Sequence, residues 1–317
     1  MNGKIAAVCI SREKGVRKEN VGEANIRANW GIEGDAHAGK WHRQVSLLDM
    51  ASIEKMREFG REKGLDLIPG DFAENITTNG LDLFALPVGT YLKAGEALLE
   101  VTQIGKECHQ HCEIFKKVGR CVMPQEGIFA RVLAGGTVKT GDSIEVWQGL
   151  PVGIITASDK GAAGEREDAS AKEIEKLIVK IKGQVIDYRI LPDEQELLGE
   201  AMIEMADQLG VRLLLTTGGT GFSPRDVTPE ATLRVIEKQV PGLPEAMRRE
   251  SFCISPRAIL SRAIAGIRGK CLIINLPGSP KAVRECLQVI LPVLPHALEI
   301  LHGTGNECGQ AKDKTIF

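Results

Sequence analysis

The apolar run at 211–215, Val-Arg-Leu-Leu-Leu, opens directly into Thr216-Thr217-Gly218-Gly219-Thr220-Gly221, three glycines in four residues, and a helix start follows at Thr228-Pro229. A strand that feeds a glycine-rich turn and then a helix belongs to an α/β sheet, with the turn at the strand's outgoing end. Glycines leave backbone N–H groups bare, where a Cβ would hold an anion off. The helix adds its N-terminal amides and the positive end of its dipole. Asp226 would repel a phosphate held there unless a cation lay between them, so this carboxylate points to Mg²⁺. Glycines are most often only turns, but this density between a strand and a helix exceeds what a turn requires.

The surrounding sequence repeats the same unit. Strands are expected at 152–156, 184–191, 212–216 and 271–276, and helices at about 168–182, 194–209, 229–238 and 281–301. In the first helix Ile174, Leu177, Ile178 and Ile181 recur at helical spacing, with Gly183 as its stop; Gly210 closes the second. Strand–helix alternation predicts a three-layer α/β fold with a mainly parallel sheet. Four loops then gather on one rim: Thr156-Ala157-Ser158-Asp159-Lys160, Leu191-Pro192-Asp193-Glu194-Gln195, the glycine loop, and Leu276-Pro277-Gly278-Ser279-Pro280-Lys281. Neither Walker A nor G-x-G-x-x-G is present, so the usual nucleotide templates do not explain them. Asp193 also suits a helix N-cap, and Asp226 a turn residue bracing Arg225.

The character is different before residue 148. Short strands at 4–10, 44–48, 91–92, 97–104 and 143–146, with a single helix at 50–59 behind Asp49, predict a mostly-β barrel or sandwich. Residues 148–151 read as a linker between domains at 1–147 and 152–302, and 303–317 as a flexible tail. The conspicuous segment here is Glu107-Cys108-His109-Gln110-His111-Cys112, with Cys121 beyond it. Its thiols suit metal binding, but no C-x₂-C pair exists. One thiol could instead be a thiolate favoured by Lys106 and nearby imidazoles, and Cys112 reads best as a small buried residue.

Composition removes several function classes. Net charge is −2 and aromatic residues make up 4%, so neither the electrostatic footprint nor the stacking platforms of a nucleic-acid binder are present. No apolar stretch approaches a membrane span, and the opening run at 5–10 is too short for a secretory core. Eight cysteines without a leader are expected to be reduced thiols in a cytoplasmic protein.

The ordered motifs of the second half, Leu191-Pro192-Asp193-Glu194-Gln195, Thr216 to Gly221, Arg225-Asp226-Val227-Thr228-Pro229-Glu230-Ala231-Thr232 and Leu276 to Lys281, resemble the gephyrin-like Mog/MoaB molybdopterin-binding family. The resemblance covers about 150–302. It implies transfer of AMP from Mg-ATP to the terminal phosphate of molybdopterin, with molybdate or tungstate accepted in a later step. It also implies a homotrimer, hand-over to a downstream molybdate-insertion protein or apo-molybdoenzyme, and functional aspartates at Asp193 and Asp226. In that frame Thr217, Gly218, Gly219, Thr220 and Gly221 hold phosphate, Ser158, Ser279 and Lys281 hold a further phosphate or the pterin, and Arg257 and Arg262 clamp pyrophosphate.

The first half resembles a MOSC domain, the C-terminal module of molybdenum-cofactor sulfurases, through Gly31-Ile32-Glu33-Gly34-Asp35-Ala36-His37, His42-Arg43-Gln44-Val45 and Gly70-Asp71-Phe72-Ala73-Glu74-Asn75-Ile76-Thr77-Thr78. Here Val101-Thr102-Gln103 leads to Cys108, which aligns with the family's characteristic cysteine. The resemblance implies a site for molybdenum cofactor, with Cys108 as sulfur carrier or metal ligand and His37, His42 and Arg43 lining an anionic pocket. Cys112 and Cys121 depart from the pattern and leave open which thiol acts. A molybdopterin adenylyltransferase fused to a cofactor-binding module is therefore expected. The alternatives are a carrier that binds pterin without turnover, and a nucleotide pyrophosphatase built on the same fold.

Overall fold

The computed structural model describes residues 2–61, 63–107, 115–116 and 119–303. The chain divides into two compact units between Gln148 and Gly149.

The first unit contains strands β1 (Asn2–Ile10), β2 (Glu19–Asn20), β3 (Glu23–Arg27), β4 (Gly31–Ile32), β5 (Val45–Asp49), β6 (Ile76–Asn79), β7 (Tyr91–Ala94), β8 (Ala97–Ile104), β9 (Ile128–Ala134), β10 (Gly136–Lys139) and β11 (Ser143–Trp147). Seven of them run β11-β7-β8-β9-β5-β6-β1, and β1 pairs back onto β11, closing a barrel. Closure removes the exposed edges a sheet of short strands would otherwise carry. The interior is Ile5, Val45, Leu47, Ile76, Leu92, Leu99, Val101, Ile128, Val132 and Ile144, all at most 1% exposed. The helix Met50–Arg61 follows β5 as expected, and Asp49 accepts the Ala51 N–H at 2.8 Å. Six strands went unread in the sequence, β2, β3, β4, β6, β9 and β10. Three of these, β3, β4 and β10, form a small separate sheet.

The second unit is a sheet in the order β13-β12-β14-β17-β16-β15, with β12 (Leu150–Ala157), β13 (Gly183–Leu191), β14 (Leu213–Thr217), β15 (Lys238–Gln239), β16 (Ala265–Arg268) and β17 (Cys271–Leu276). β13, β12, β14 and β17 are parallel; β16 and β15 add an antiparallel edge that the sequence reading lacked. Alternate residues of each strand enter different cores, as the two-residue period of a strand requires. Val152, Ile154, Leu213, Leu215, Leu272 and Ile274 pack with the helices Ala169–Ile178 and Pro280–Ile290. Ile155, Leu214 and Ile273 pack with Gln195–Ile203 and Thr228–Val235 on the other face.

Several boundaries differ from expectation for identifiable reasons. β12 begins at Leu150, so two residues read as linker belong to the strand, and the Pro151 carbonyl accepts from Arg212 N–H at 2.9 Å. The first helix stops because Lys182 turns left-handed (φ 57°), not because of Gly183. Gly183 is needed for close approach, since a Cβ there would lie 2.9 Å from the Ile178 carbonyl oxygen. The helix read as 194–209 ends in a wider π-helical turn, Glu204–Gln208. The last helix is two, Pro280–Ile290 and Leu294–His302, because Pro292 has no N–H to continue the first. The helix Gly242–Phe252 was not anticipated.

Candidate functional site

The outgoing ends of β12, β13, β14 and β17 are neighbours in the sheet, so the four loops singled out in the sequence meet on one rim. Gly218 (φ 91°) and Gly219 (φ 60°) are both left-handed. A Cβ on Gly218 would lie 2.3 Å from the Ala157 carbonyl oxygen, and one on Gly278 would lie 3.3 Å from the Gly218 Cα. The glycines therefore let three loop backbones touch. Thr217 donates its hydroxyl to the Pro277 carbonyl at 2.6 Å and fastens the last loop to the glycine loop.

The two aspartates flank this loop. A Cβ on Gly219 would sit 2.9 Å from Asp193 Oδ1, and a Cβ on Gly221 would sit 2.9 Å from Asp226 Oδ2. Asp193 does not cap the following helix. Its Oδ2 accepts the Asp159 N–H at 3.1 Å, while its own N–H donates to Asp159 Oδ1 at 3.1 Å, which leaves Oδ1 beside Gly219. Burial, and then the negative charges of Asp159 and Asp226, raise the Asp193 carboxyl above the usual carboxylate range, so the two aspartates share one electrostatic neighbourhood. Asp226 accepts the Ser223 N–H at 2.9 Å. Arg225 is braced by Asp159, through Nε at 3.0 Å and Nη2 at 2.7 Å.

Thr228, fully buried at the start of its helix, holds a hydroxyl with no hydrogen-bond partner, 2.4 Å from where a Gly219 Cβ would be. A buried polar group left unmade costs about 1–3 kcal/mol, and this orphan hydroxyl lies in the glycine cradle beside Asp193. The donor set suits a phosphate with a hard divalent cation: bare backbone, one hydroxyl and two carboxylates. Among the described residues no group of three or more His, Cys, Asp or Glu could hold a metal unaided. Asp193 and Asp226 are the residues that would hold Mg²⁺ at this loop.

Arg262 braces the glycine loop. Its guanidinium donates to the Gly221 carbonyl at 2.7 Å, to the Asp226 carbonyl at 2.5 Å and to Glu230, and its N–H donates to the Thr220 carbonyl at 3.0 Å. It holds the loop in shape. Arg257 is exposed on the turn Pro256–Leu260 and lines a cavity of about 310 Å³ that has Thr220 and Gly221 at one end. Ser158 and Ser279 are N-caps, accepting from Gly161 N–H at 3.0 Å and Ala282 N–H at 3.2 Å. Lys281 is exposed, 3.8 Å from Glu285.

The first unit has a cavity of about 420 Å³, lined by His37, Arg43, Lys106 and Cys121 among others. Arg43 stacks over Trp41 at 4.8 Å and Phe129 at 5.7 Å, and its Nε is buried without a partner. Lys106 Nζ lies 5.8 Å from the centroid of the same Phe129 ring. A cation with an unspent donor among aromatic walls suits an anionic ring compound. His42 is not among the lining residues; its Nε2 meets Gln103 Oε1 at 3.0 Å. Cys108, His109, His111 and Cys112 lie outside the described residues. Cys9 and Cys271 are buried, and burial pushes both thiols up to about 12, which excludes them as nucleophiles.

Residues 153–296 match the family model for a probable molybdopterin binding domain, and residues 34–145 match that for the MOSC domain. The molybdopterin adenylyltransferase of Helicobacter pylori (strain J99) is 43% identical over 158 residues, covering 49% of this chain and 90% of that protein. The chain belongs to the molybdopterin adenylyltransferase family. The molybdopterin adenylyltransferase of Escherichia coli K12 is 35% identical over 168 residues, covering 49% of this chain and 86% of that protein. Gephyrin of Dictyostelium discoideum is 44% identical over 161 residues, covering 48% of this chain but 22% of gephyrin. This adenylyltransferase relative thus carries a MOSC domain ahead of the shared portion. Among its described residues no helix is long and apolar enough to cross a membrane.

Two adenylyltransferase-domain residues escaped the sequence reading. Thr228 was passed over as a helix start, although a Thr-Pro pair after a glycine loop puts a hydroxyl at the first turn. Asp159 sat in a quoted loop, but nothing local showed that it would pair with both Arg225 and the Asp193 backbone.

Proposed function

We propose that the second domain transfers AMP from Mg-ATP to the terminal phosphate of molybdopterin, and that the MOSC domain binds or modifies the resulting cofactor. The observation that carries the first part is the orphan Thr228 hydroxyl beside Gly219 and Asp193. In this reading a molybdopterin phosphate oxygen attacks the α-phosphorus of ATP and pyrophosphate leaves. Two anions must be aligned, so the protein contributes orientation and charge neutralisation, not a nucleophile. Mg²⁺ would supply the charge neutralisation between the phosphates. The backbone N–H groups of Gly218 to Gly221 and the Thr228 hydroxyl hold phosphate oxygens, Asp193 and Asp226 hold the cation side, and Arg262 keeps the loop rigid. Ser158, Ser279, Lys281 and Arg257 stand around the rim where the remaining phosphate and the pterin would lie.

The MOSC part rests on the Arg43 Nε in the first cavity. Tethering places a second pocket at high effective concentration for a labile product. A homotrimer through the second domain, and hand-over to a downstream molybdate-insertion protein or apo-molybdoenzyme, follow from the family reading; sedimentation of the intact chain as a monomer would remove the first. Pyrophosphate release by the intact chain tests the activity. Release that requires ATP, Mg²⁺ and molybdopterin together supports transfer. No release would make the protein a carrier, and release without pterin would make it a pyrophosphatase.

A further inference from the structure

Two motifs singled out in the first half, Gly31 to His37 and Gly70 to Thr78, converge on a residue in neither of them. Lys18 is buried, its side chain 1% exposed, and ion-paired with an equally buried Asp35. Its N–H donates to the Gly70 carbonyl at 2.8 Å, and Gly70 is left-handed (φ 95°) where a Cβ would strike the Lys18 carbonyl oxygen at 2.2 Å. The Lys18 ammonium also lies 3.3 Å from Nδ1 of His37, which lines the cavity.

An ammonium has three donors and no acceptor, so the contact to His37 is a hydrogen bond only if Nδ1 offers its lone pair. The competing arrangement, Nδ1–H donating to Asp35 Oδ1, is longer at 3.5 Å, and that oxygen already accepts the His37 backbone N–H at 3.0 Å. Asp35 Oδ2 is taken by the Lys18 ammonium and the Ser11 N–H. The backbone of His37 is held as well, its carbonyl accepting the Trp41 indole N–H at 3.0 Å.

We propose that Lys18 is a positioning residue that fixes His37 in the tautomer with Nδ1 bare and Nε2 protonated, so that the cavity lined by both His37 and Arg43 has an imidazole N–H donor as well as the unspent Arg43 Nε. Such a pair recognises a ligand that is anionic and rich in acceptor oxygens. This rests on the reading of the cavity as a cofactor pocket for the identity of the ligand, but not for the tautomer. Among the other charged groups, Glu74, from the loop before β6, acts on Lys18, and Arg17, Asp66 and Asp71 share the cavity lining with His37. Glu74 is satisfied by Gly70 N–H at 2.6 Å, Phe72 N–H at 3.2 Å and the Thr77 hydroxyl at 3.0 Å, so it does not compete for the imidazole.

The test is the pair of ring-nitrogen shifts of His37 in the ¹⁵N-labelled intact chain without ligand, assigned by their loss in His37→Gln. The expected spectrum has Nδ1 in the unprotonated range and Nε2 in the protonated range. The reverse pattern, or two protonated nitrogens, overturns the proposal. Lys18→Met should release Nδ1 to donate to Asp35 and invert the pattern; a folded Lys18→Met chain with the wild-type pattern would also overturn it. Removing one partner of a buried pair can unfold the unit, in which case the wild-type shifts decide alone.

Discussion

Replacing Thr228 with valine separates a ligand-reserved hydroxyl from a structural one. The Thr228 side chain is fully buried and its Oγ1 lacks a partner, so in the ligand-free protein the hydroxyl contributes a desolvation cost and no hydrogen bond. Valine keeps the shape and removes that cost, which is worth about 1–3 kcal/mol. For a unit of this size each kcal/mol moves the transition by roughly 2–4 °C. Scanning calorimetry of the intact chain should therefore show the second unit's transition unchanged or raised by a few degrees. The same change removes a hydrogen bond to a charged phosphate oxygen, worth about 1.5–3 kcal/mol, or roughly 10- to 150-fold in kcat/KM for pyrophosphate release. Stability held or gained with activity lost is the predicted signature. A valine variant that unfolds earlier while turning over normally would show that the hydroxyl serves the fold, and the ligand argument would fail.

Further outcomes follow from the same geometry. Gly218→Ala forces a left-handed alanine, costing about 1–2 kcal/mol, and drives its Cβ to 2.3 Å from the Ala157 carbonyl, so the loop must shift. Because a displacement of about 1 Å can cost about 100-fold, its kcat/KM should collapse, whereas Gly242→Ala, which meets nothing within 4 Å, should match wild type. Arg262→Lys exchanges a guanidinium gripping Gly221, Asp226 and Glu230 for a single ammonium, and should lower kcat/KM at least about tenfold with a smaller change in transition temperature. Glu74 is fully buried, and burial pushes its carboxyl from 4.5 up to about 7. Its folded form binds the proton more tightly, so the contribution of Glu74 to barrel stability should be fully present below about pH 4.5 and fall by roughly 3 kcal/mol as pH rises to about 7. The difference between wild type and Glu74→Gln across that window should carry this slope; parallel curves would refute it.

How much of this was legible in the sequence depends on distance along the chain. The βα alternation and the rim were readable because Ile174, Leu177 and Ile178, and the glycine loop itself, carry their signal within one turn or one loop. Asp193 and Asp226 could be named because each stands at a strand exit or beside that loop. What could not be read were pairings across many residues. Arg262 looked like a free cation, and only the fold brings it under Gly221 and Asp226. Lys18 carried no motif at all, since its partners Asp35 and Gly70 are joined to it only when the barrel closes. The antiparallel edge of β15 and β16 is short and half-polar, so no periodicity announced it.

In the proposed site Asp193 and Asp226 serve one nucleotide-bound cation across the glycine loop. Binding of Mn²⁺ in place of Mg²⁺, followed by electron paramagnetic resonance while ATP is titrated into the intact chain, measures this directly. Wild type should bind Mn²⁺ far better with ATP than without, and Asp193→Asn and Asp226→Asn should each weaken the ternary complex by about tenfold or more, near 1.4 kcal/mol. If both variants hold Mn²⁺ and ATP as tightly as wild type, the carboxylates do not serve the cation and the proposed site is wrong.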